Sequence, residues 1–499
     1  MEILGAIWFG FDQATTWSNL GWCFAGVLLG TLVGILPGLG PAATMAILLP
    51  FTIGLPAVTA LILMAGIYYG AQYGGSTTAI LLNLPGETSS VVTAIDGYKM
   101  ARKGRAGVAL SAAAMGSFFA GTVATIFLAL FAPAMAEVGL MFGAAEYFSL
   151  MVLGLIASVV LSRGSVLRAV AMVCTGILIG LVGQDVQTGE ARFTLGNDNL
   201  TSGIDFVIVA MGLFGIGEVI HDLESSGTRT AIHTSFRSLW PSRADLRRMI
   251  GPMLRGTGIG SVLGILPGGG ALLAAFAAYA VEKRVSTPPE GFGGGAIEGV
   301  VAPESANNAG AQTSFVPLLT LGLPSNAVMA LMFGALIMQG IPPGPTLITD
   351  HPEIFWGVIA SMWVGNLMLL VLNLPLVGLW TKLLTVPFRY MYPAILVFCA
   401  LGAYSLGNSP FAVWMLALFA LLGYVFSKLD CDAAPLVMGL LLGPMMEENF
   451  RRAMFLARGN ALTFLDRPIS AGLLLAAVLA LVVVSLPRLR GVREQAFEE

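Results

Sequence analysis

The chain has 499 residues, of which 56% are hydrophobic and 11% are charged, and its formal net charge at pH 7 is −3. Soluble domains carry about 25% charged residues, so this composition, with a mean hydropathy of +0.84, excludes a water-soluble globular protein. The near-neutral charge balance also offers no basic stripe for nucleic acid. We therefore expect an all-α polytopic membrane protein.

Long stretches without Asp, Glu, Lys, Arg or His mark the part of the chain that crosses the membrane. They cover residues 13–86, 305–349 and 390–427, and each far exceeds the about 20 apolar residues that span a bilayer. None has the charged face at a 3.6-residue period that a surface helix shows. Together with the shorter apolar segments between them, these stretches predict roughly 10–14 membrane segments.

A glycine-rich pattern occurs twice in the chain. Residues 26–40 read GVLLGTLVGILPGLG and residues 256–270 read GTGIGSVLGILPGGG, with a constant offset of 230. Glycine at every fourth position lets membrane helices pack closely, whereas the Pro-Gly pair ends each helix. We therefore predict a packing role for the spaced glycines, and a hairpin tip or ion-binding role for Gly38, Gly40, Gly268 and Gly270.

A second motif recurs with one gap between its two parts. GAQ at residues 70–72 is followed by NLPG at residues 83–86, and GAQ at residues 310–312 is followed by GLPS at residues 322–325. The chain therefore divides into three parts. These are a first transporter repeat (residues 1–221), a cytoplasmic linker (222–249) and a second transporter repeat (250–499).

The charges of the loops predict that the two repeats are inverted. The linker is rich in Arg and residues 99–105 are basic, which the positive-inside rule assigns to the cytoplasm. The loop at residues 340–353, which corresponds to residues 99–105, contains Asp350 and Glu353 and no Lys or Arg. The acidic loop 184–203 is predicted to be periplasmic. Inverted repeats with broken or re-entrant helices are a common architecture of secondary transporters.

The second motif predicts a binding site for a small anion. Pro85 and Pro324 each interrupt a helix just before a fresh helix N-terminus, whose free N–H groups and positive dipole end attract anions. Breaks from inverted halves would meet near the midplane and hold the carboxylates of one substrate. The substrate-binding candidates are Ser76, Thr77, Thr78, Pro85, Gly86, Asn308, Gln312, Pro324, Ser325 and Asn326.

The same segments offer oxygen ligands for a co-transported sodium ion, the only metal that we expect. The ion-binding candidates, besides the four turn glycines, are Asn83, Thr313, Ser314 and Thr320, and the hydroxyls of Thr77 and Thr78 are of the same kind. For any single Ser or Thr, a bond to a carbonyl of its own helix is an equal alternative. No cofactor is expected.

Three acidic residues border the two motifs and are candidates for carrying coupling protons. They are Glu87, Asp96 and Glu304. For Glu304, a structural role as a helix cap or as the partner of a loop cation is an equally good interpretation.

The motifs resemble a known family. GILPGLGP at residues 34–41, YGAQYGGSTT at 69–78 with NLPG at 83–86, and ANNAGAQ at 306–312 are similar to the large membrane subunit of the bacterial tripartite tricarboxylate transporters. The resemblance runs from about residue 20 to about residue 460. It implies a permease in the bacterial inner membrane that crosses the bilayer many times. It also implies a small membrane subunit, a periplasmic solute-binding protein that delivers citrate or another di- or tricarboxylate, and uptake driven by a sodium or proton gradient.

Two other classes of function were weighed. The chain has no HExxH, GxSxG or Walker A segment, so we do not expect an enzyme. A membrane channel or an exporter component for organic anions is the alternative to a carrier. Saturable uptake that requires a binding protein and an ion gradient would separate the carrier from the pore.

Overall fold

The computed structural model describes residues 3–36, 40–84, 86–162, 165–185, 188–217, 220, 236–266, 270–286, 291–383 and 392–485. The predicted site residues Gly38, Pro85 and Gly268, and residues 222–235 of the predicted linker, lie outside these ranges. Within them almost all regular structure is helical, which confirms the predicted all-α class. The strands there are the antiparallel pair β1 (Gly183–Gln184) and β2 (Ala191–Arg192).

The first half of the chain folds into nine described α-helices. They are α1 (Ile3–Ala14), α2 (Trp17–Ile35), α3 (Pro41–Leu48), α4 (Ala57–Leu82), α5 (Val91–Met100), α6 (Ala106–Leu140), α7 (Ala144–Leu161), α8 (Val166–Gly180) and α9 (Phe206–Ala210). Short 3-10 or π segments adjoin them at Leu49–Thr52, Thr88–Ser90, Ala101–Arg105, Asp198–Leu200 and Met211–Gly217. Gly104, with φ of 79°, separates α5 from α6, because glycine adopts this backbone conformation without strain.

The second half contributes thirteen described α-helices, preceded by a 3-10 turn at Phe236–Leu239. They are α10 (Arg243–Leu263), α11 (Gly270–Val285), α12 (Glu298–Thr313), α13 (Phe315–Leu321), α14 (Ala327–Met338), α15 (Leu347–Asp350), α16 (Pro352–Asn373), α17 (Val377–Leu383), α18 (Tyr392–Gly407), α19 (Pro410–Lys428), α20 (Ala433–Leu456), α21 (Thr463–Asp466) and α22 (Pro468–Ser485). The side chain of Ser242 caps α10 by accepting from Asp245 N, as expected for a serine N-cap.

The repeated glycines form a close helix–helix seam in each half. In the first half α2 lies along α4, and a Cβ added to Gly30 would stand 2.3 Å from the Ile67 carbonyl oxygen. In the second half α10 lies along α12, and a Cβ added to Gly260 would stand 2.3 Å from the Ala306 carbonyl oxygen. Only glycine permits backbones to approach so closely, so the predicted packing role agrees with the contacts at these positions.

The molecule is apolar outside and polar at its centre. Leu130, Leu367 and Trp414 are more than half exposed, whereas Gln72 and Asn307 are nearly inaccessible. Four of the described helices or merged helical segments are long and apolar enough to cross a bilayer, and seven shorter apolar helices accompany them. This arrangement suits a lipid bilayer, in which the protein exterior needs no charge and interior polar groups need partners.

The basic segments gather at one end of α6. A Cβ added to Gly107, near the start of α6, would meet Ser238 at the end of the linker, and Arg105 forms an ion pair of 2.6 Å with Asp245. At the other end, Gly139 packs against Pro345 of the loop at residues 340–353. The 35 residues of α6 extend about 50 Å, which exceeds the roughly 30 Å hydrocarbon core.

The acidic loop after α8 is joined to α20 by ion pairs. Asp185 accepts from Arg451 at 3.0 Å and lies 3.5 Å from Arg192, which also bonds Glu447 at 2.9 Å. The positive charge of Arg451 is thereby paired with Asp185 of the segment predicted to be periplasmic and with Glu447 of its own helix.

Candidate functional site

The first helix break follows α4. α4 ends at Leu82 and Asn83 takes the left-handed conformation, with φ of 58° and ψ of 35°. Asparagine is among the few residues other than glycine that adopt it readily. The chain then passes Gly86, where an added Cβ would stand 2.0 Å from the Gly34 carbonyl oxygen. Glu87 occupies the N-cap position of the turn that leads into α5.

The second helix break follows α13 and has the same backbone form. α13 ends at Leu321, and Gly322 is left-handed with φ of 66° and ψ of 27°. The buried Ser325 donates to the Ser314 carbonyl at 3.2 Å. Asn326 is the N-cap of α14, and its side-chain oxygen accepts from Met329 N at 2.9 Å. A fresh helix N-terminus therefore follows this break, as the sequence predicts.

The two breaks correspond residue by residue at an offset of 239. Asn83 corresponds to Gly322, and Glu87 corresponds to Asn326. The contact between Gly86 and Gly75 in the first half is matched by the bond between Ser325 and Ser314 in the second. The repeat recognised in the sequence therefore extends to the local backbone geometry.

A polar cluster connects the two breaks. Ser89, just after the first break, donates to Asn307 on α12 at 2.7 Å and to Gln72 on α4 at 3.1 Å. The Asn307 side-chain amide donates to the Glu87 carboxylate at 3.2 Å. The Tyr68 side chain interacts with Gln72 as well as with Ser314 and Asn326 at the second break. Residues from both halves thus form one buried polar region.

Glu304 on α12 lies fully buried beside this cluster. Its Oε2 accepts from Ser76 of α4 at 2.6 Å and from Ser117 of α6 at 3.4 Å, while its Oε1 accepts from Thr93 of α5. Asn308 donates to Ser117 at 2.7 Å and to the Glu304 backbone carbonyl at 3.1 Å. None of the ion pairs among the described residues involves Glu304. Among the described residues, Glu304 therefore does not form the ion pair with a loop cation that the sequence offered as one structural role for it.

A cavity of about 20 Å³ lies beside two of the hydroxyls that bond this carboxylate. Ser76 and Ser117, which both bond Glu304, lie in its wall together with Tyr73, Thr77 and Asn373. Apolar side chains of α6, together with Leu374 after α16 and Val377 of α17, complete the wall. A space of this size has room for a water molecule, and its wall supplies the polar groups that water needs.

The other hydroxyls predicted to bind substrate or ion have partners within the protein. The side chains of Thr77, Thr313, Ser314 and Thr320 each donate to a carbonyl of the same chain segment, three or four residues earlier. Thr78 donates to the Ile35 carbonyl at the end of α2, at 2.8 Å. The four local bonds are the helix back-bonding that the sequence left open as the alternative, whereas the Thr78 bond joins α4 to α2.

The remaining predicted residues are spread around the breaks. Gly270 lies against Gly264, and Gly40 precedes α3 as its N-cap. Pro324 is buried between the left-handed Gly322 and Ser325. The Gln312 side-chain oxygen is buried and has no hydrogen-bond partner among the described residues.

Thr93 and Ser117 belong to the site but were not predicted. Thr93 lies three residues before Asp96 on α5, and Ser117 is one of the few polar residues in the largely apolar α6. A polar side chain in a membrane helix is costly without a partner, so Ser117 carried a usable signal. Its partner Glu304, 187 residues away, cannot be identified from one sequence.

An apolar exterior that encloses two paired helix breaks defines a multi-pass membrane protein of the transporter class. The chain belongs to the Tripartite tricarboxylate transporter TctA family, whose sequence profile matches residues 20–438. It is therefore a tricarboxylate transporter subunit, and the resemblance found in the sequence is confirmed.

Two relatives from Agrobacterium vitis are similar to the chain. The uncharacterized 52.8 kDa protein in TAR-I ttuC' 3'region is 56% identical over 499 residues, which is 100% of this chain and 99% of the relative. The uncharacterized protein in TAR-II ttuC' 3'region is 55% identical over 240 residues, which is 48% of this chain and 99% of the relative. No solved structure matches the chain.

Proposed function

We propose that the chain is the large permease subunit of a secondary transporter that imports small carboxylates, such as citrate or another di- or tricarboxylate, across the bacterial inner membrane. A periplasmic solute-binding protein delivers the substrate, a small membrane subunit completes the complex, and a sodium or proton gradient drives uptake. Family membership supports this assignment, and the site itself supports the choice of a carrier.

The observation that supports it most is the convergence of the two breaks on one polar cluster. Both breaks follow buried helices. Ser89, after the first break, bonds Gln72, and Tyr68 interacts with both Gln72 and Asn326 of the second break, so these two side chains link the breaks. Broken helices with paired ends are how many transporters bind substrates without placing a fixed charge in the membrane. The hydrogen bonds from Ser89 and Asn307 in this cluster come from neutral donors, which bind carboxylates more weakly than Arg does and so permit release.

The charge of the breaks favours the second one for a substrate carboxylate. Glu87 places a carboxylate at the start of the turn after the first break, whereas Asn326 places a neutral amide at the start of α14. An anion beside Glu87 would meet like charge, while an anion beside α14 would meet the positive end of the helix dipole.

The test is uptake of radiolabelled citrate, and of other di- and tricarboxylates, by cells that express the chain with its small membrane subunit and binding protein. A carrier gives saturable uptake that needs the binding protein and stops when the ion gradients are collapsed. Cells without the large subunit are the control. Flux that does not saturate and continues without the binding protein would instead establish the channel alternative.

A further inference from the structure

We propose that Glu304 binds the coupling proton and that the adjoining cavity is the route by which the proton leaves. The inference rests on the proposed transport function and names its coupling ion. It concerns a single side chain that contacts α4, α5 and α6 and therefore links residues of both halves.

The groups around Glu304 suit both the ionised and the protonated side chain. All three side-chain donors, on Ser76, Thr93 and Ser117, are hydroxyls, and a hydroxyl can donate or accept. Ser76 has two acceptors within reach, Glu304 Oε2 at 2.6 Å and the Gln72 carbonyl at 3.0 Å. When Glu304 is ionised, Ser76 donates to it. When Oε2 carries the proton, it donates to Ser76, and the Ser76 hydrogen turns to the Gln72 carbonyl.

Asp96 provides a contrast, because two of its three donors are backbone N–H groups, which cannot also accept a hydrogen bond. Its Oδ1 accepts from the backbone N–H groups of Gly295 and Ala296 at 2.7 and 2.9 Å, and its Oδ2 accepts from Tyr279 at 2.9 Å. A backbone N–H cannot reverse its role and accept a proton from an acid. Asp96 therefore serves to join α5 to the segment before α12, and it is the matched control for Glu304.

Among the described residues, no Lys or Arg side chain pairs with Glu304 and balances its negative charge as a bound proton would. The elements packed around it carry further titratable groups, which include Tyr68, Tyr69 and Tyr73 on α4, Glu87 at the first break, Asp96, Tyr98 and Lys99 on α5, Glu137 on α6, and Tyr279, Glu282, Lys283 and Arg284 on α11. Glu282 bonds Arg255 of α10 at 2.7 and 2.8 Å. In the part of the chain that the structure describes, the side-chain donors to the Glu304 carboxylate are the hydroxyls of Ser76, Thr93 and Ser117. An unpaired carboxylate inside a membrane protein is costly in its charged form, and proton uptake removes that cost.

Ser76 and Ser117 each contact both Glu304 and the cavity, which extends from these two serines toward the start of α6. Its wall runs along α6 from Ser117 to Leu110, and α6 begins next to the basic segment 101–105. On the opposite wall Asn373 is 8% exposed, and its side-chain oxygen has no donor among the described residues. A water molecule in the cavity would donate to Asn373 and exchange a proton with Ser76 or Ser117. The proton then leaves on the side predicted to be cytoplasmic, as import requires.

The first experiment is acid-minus-base infrared difference spectroscopy of the purified full-length protein. We expect a carbonyl stretching band of a protonated carboxylic acid, lost in Glu304→Gln and kept in Asp96→Asn. Ser76→Ala removes one hydrogen bond and should shift the band to higher wavenumber, which tests the assignment even if Glu304→Gln does not fold. The absence of the band in the folded wild type, or its persistence in folded Glu304→Gln, would overturn the proposal.

The second experiment separates coupling from transport in proteoliposomes, with citrate as the probe and the complete complex reconstituted. Glu304→Gln should exchange internal for external citrate but lose accumulation above the external concentration under a proton gradient. Accumulation that Glu304→Gln retains, or that only a sodium gradient drives in the wild type, would overturn it. If the wild type moves no carboxylate at all, the proposed function fails, and the infrared result still decides whether Glu304 binds a proton.

Discussion

The two helix breaks share a backbone and differ in chemistry. Each has a left-handed residue after a buried helix, and each is followed by an N-cap residue four positions later. The N-cap residue and the residue before it are Glu87 and Gly86 at the first break, and Asn326 and Ser325 at the second. The backbone is the same at both breaks but the charge differs, so only the second break presents a neutral helix N-terminus. We therefore expect the two halves to have different roles in one site.

The first prediction tests whether the two halves are inverted, and its expected effect is all or none. Arg102 and Thr346 are both exposed and lie near opposite ends of α6. Cysteines introduced by Arg102→Cys and Thr346→Cys, in a chain lacking Cys174, should be labelled by an impermeant maleimide from opposite sides of the membrane. Labelling of both from one side would end the inverted-repeat interpretation.

The second prediction compares the glycine seams of the two halves. Gly30→Ala and Gly260→Ala would each force a methyl group against a carbonyl oxygen, and overpacking of this kind costs about 1–3 kcal/mol or more. Both should lower the yield of monodisperse protein and its unfolding temperature by similar amounts. The control is Gly21→Ala on the same helix as Gly30, where the added methyl meets nothing within 4 Å. A seam that tolerates alanine in only one half would show that the repeats pack differently.

The third prediction concerns the charge difference between the breaks. Asn326→Asp keeps a good N-cap residue but adds a negative charge where we propose that a carboxylate binds. The KM for citrate should rise about tenfold, which corresponds to about 1.4 kcal/mol of repulsion. Glu87→Gln removes a charge from the other break and should lower the KM. Equal KM values for both variants and the wild type would place the substrate away from the breaks.

The fourth and smallest effect concerns a carboxylate that, unlike Glu304, has a cationic partner. Burial raises the pKa of Asp245, but hydrogen bonds from Arg105 and Ser242 outweigh burial and leave the pKa below its ordinary value. Ionised Asp245 therefore stabilises the fold above the ordinary carboxyl pKa, and this contribution is lost as pH falls through the lowered value. Asp245→Asn should cost about 1 kcal/mol or less near neutral pH, because Arg105 is 40% exposed.

The check on this fourth prediction is thermal unfolding of Asp245→Asn and the wild type in detergent at several pH values. The difference between the two unfolding temperatures should shrink on acidification. Exposed Asp12→Asn serves as the control and should show no difference at any pH. A difference for Asp245→Asn that grows toward low pH would contradict the assigned direction of the pKa shift.

The parts of the fold that sequence predicts are those encoded locally. The glycine spacing predicts the seams of α2 and α10, and the NLPG and GLPS segments predict the breaks, because glycine, proline and asparagine restrict or release the backbone where they stand. What stays hidden is which distant groups meet. Ser76 was selected for its position in a polar run, but its bond to Glu304, 228 residues away, depends on how the halves pack. The hydroxyls of Thr77 and Thr313 bond carbonyls of their own helices. Composition alone does not show whether a hydroxyl forms such a local bond or binds a ligand.

The glycine seams also bear on how such a protein moves. Where backbone touches backbone there are no rotamers to rearrange, and a sliding motion would drive carbonyl oxygens into Cα atoms. We therefore expect the pair α2 and α4, and the pair α10 and α12, to move as two rigid bodies. Alternating exposure of a substrate then requires these two bodies to rotate relative to each other. The interface between them contains side chains such as Ser76 and Ser89, whose hydrogen bonds can break and re-form at low cost.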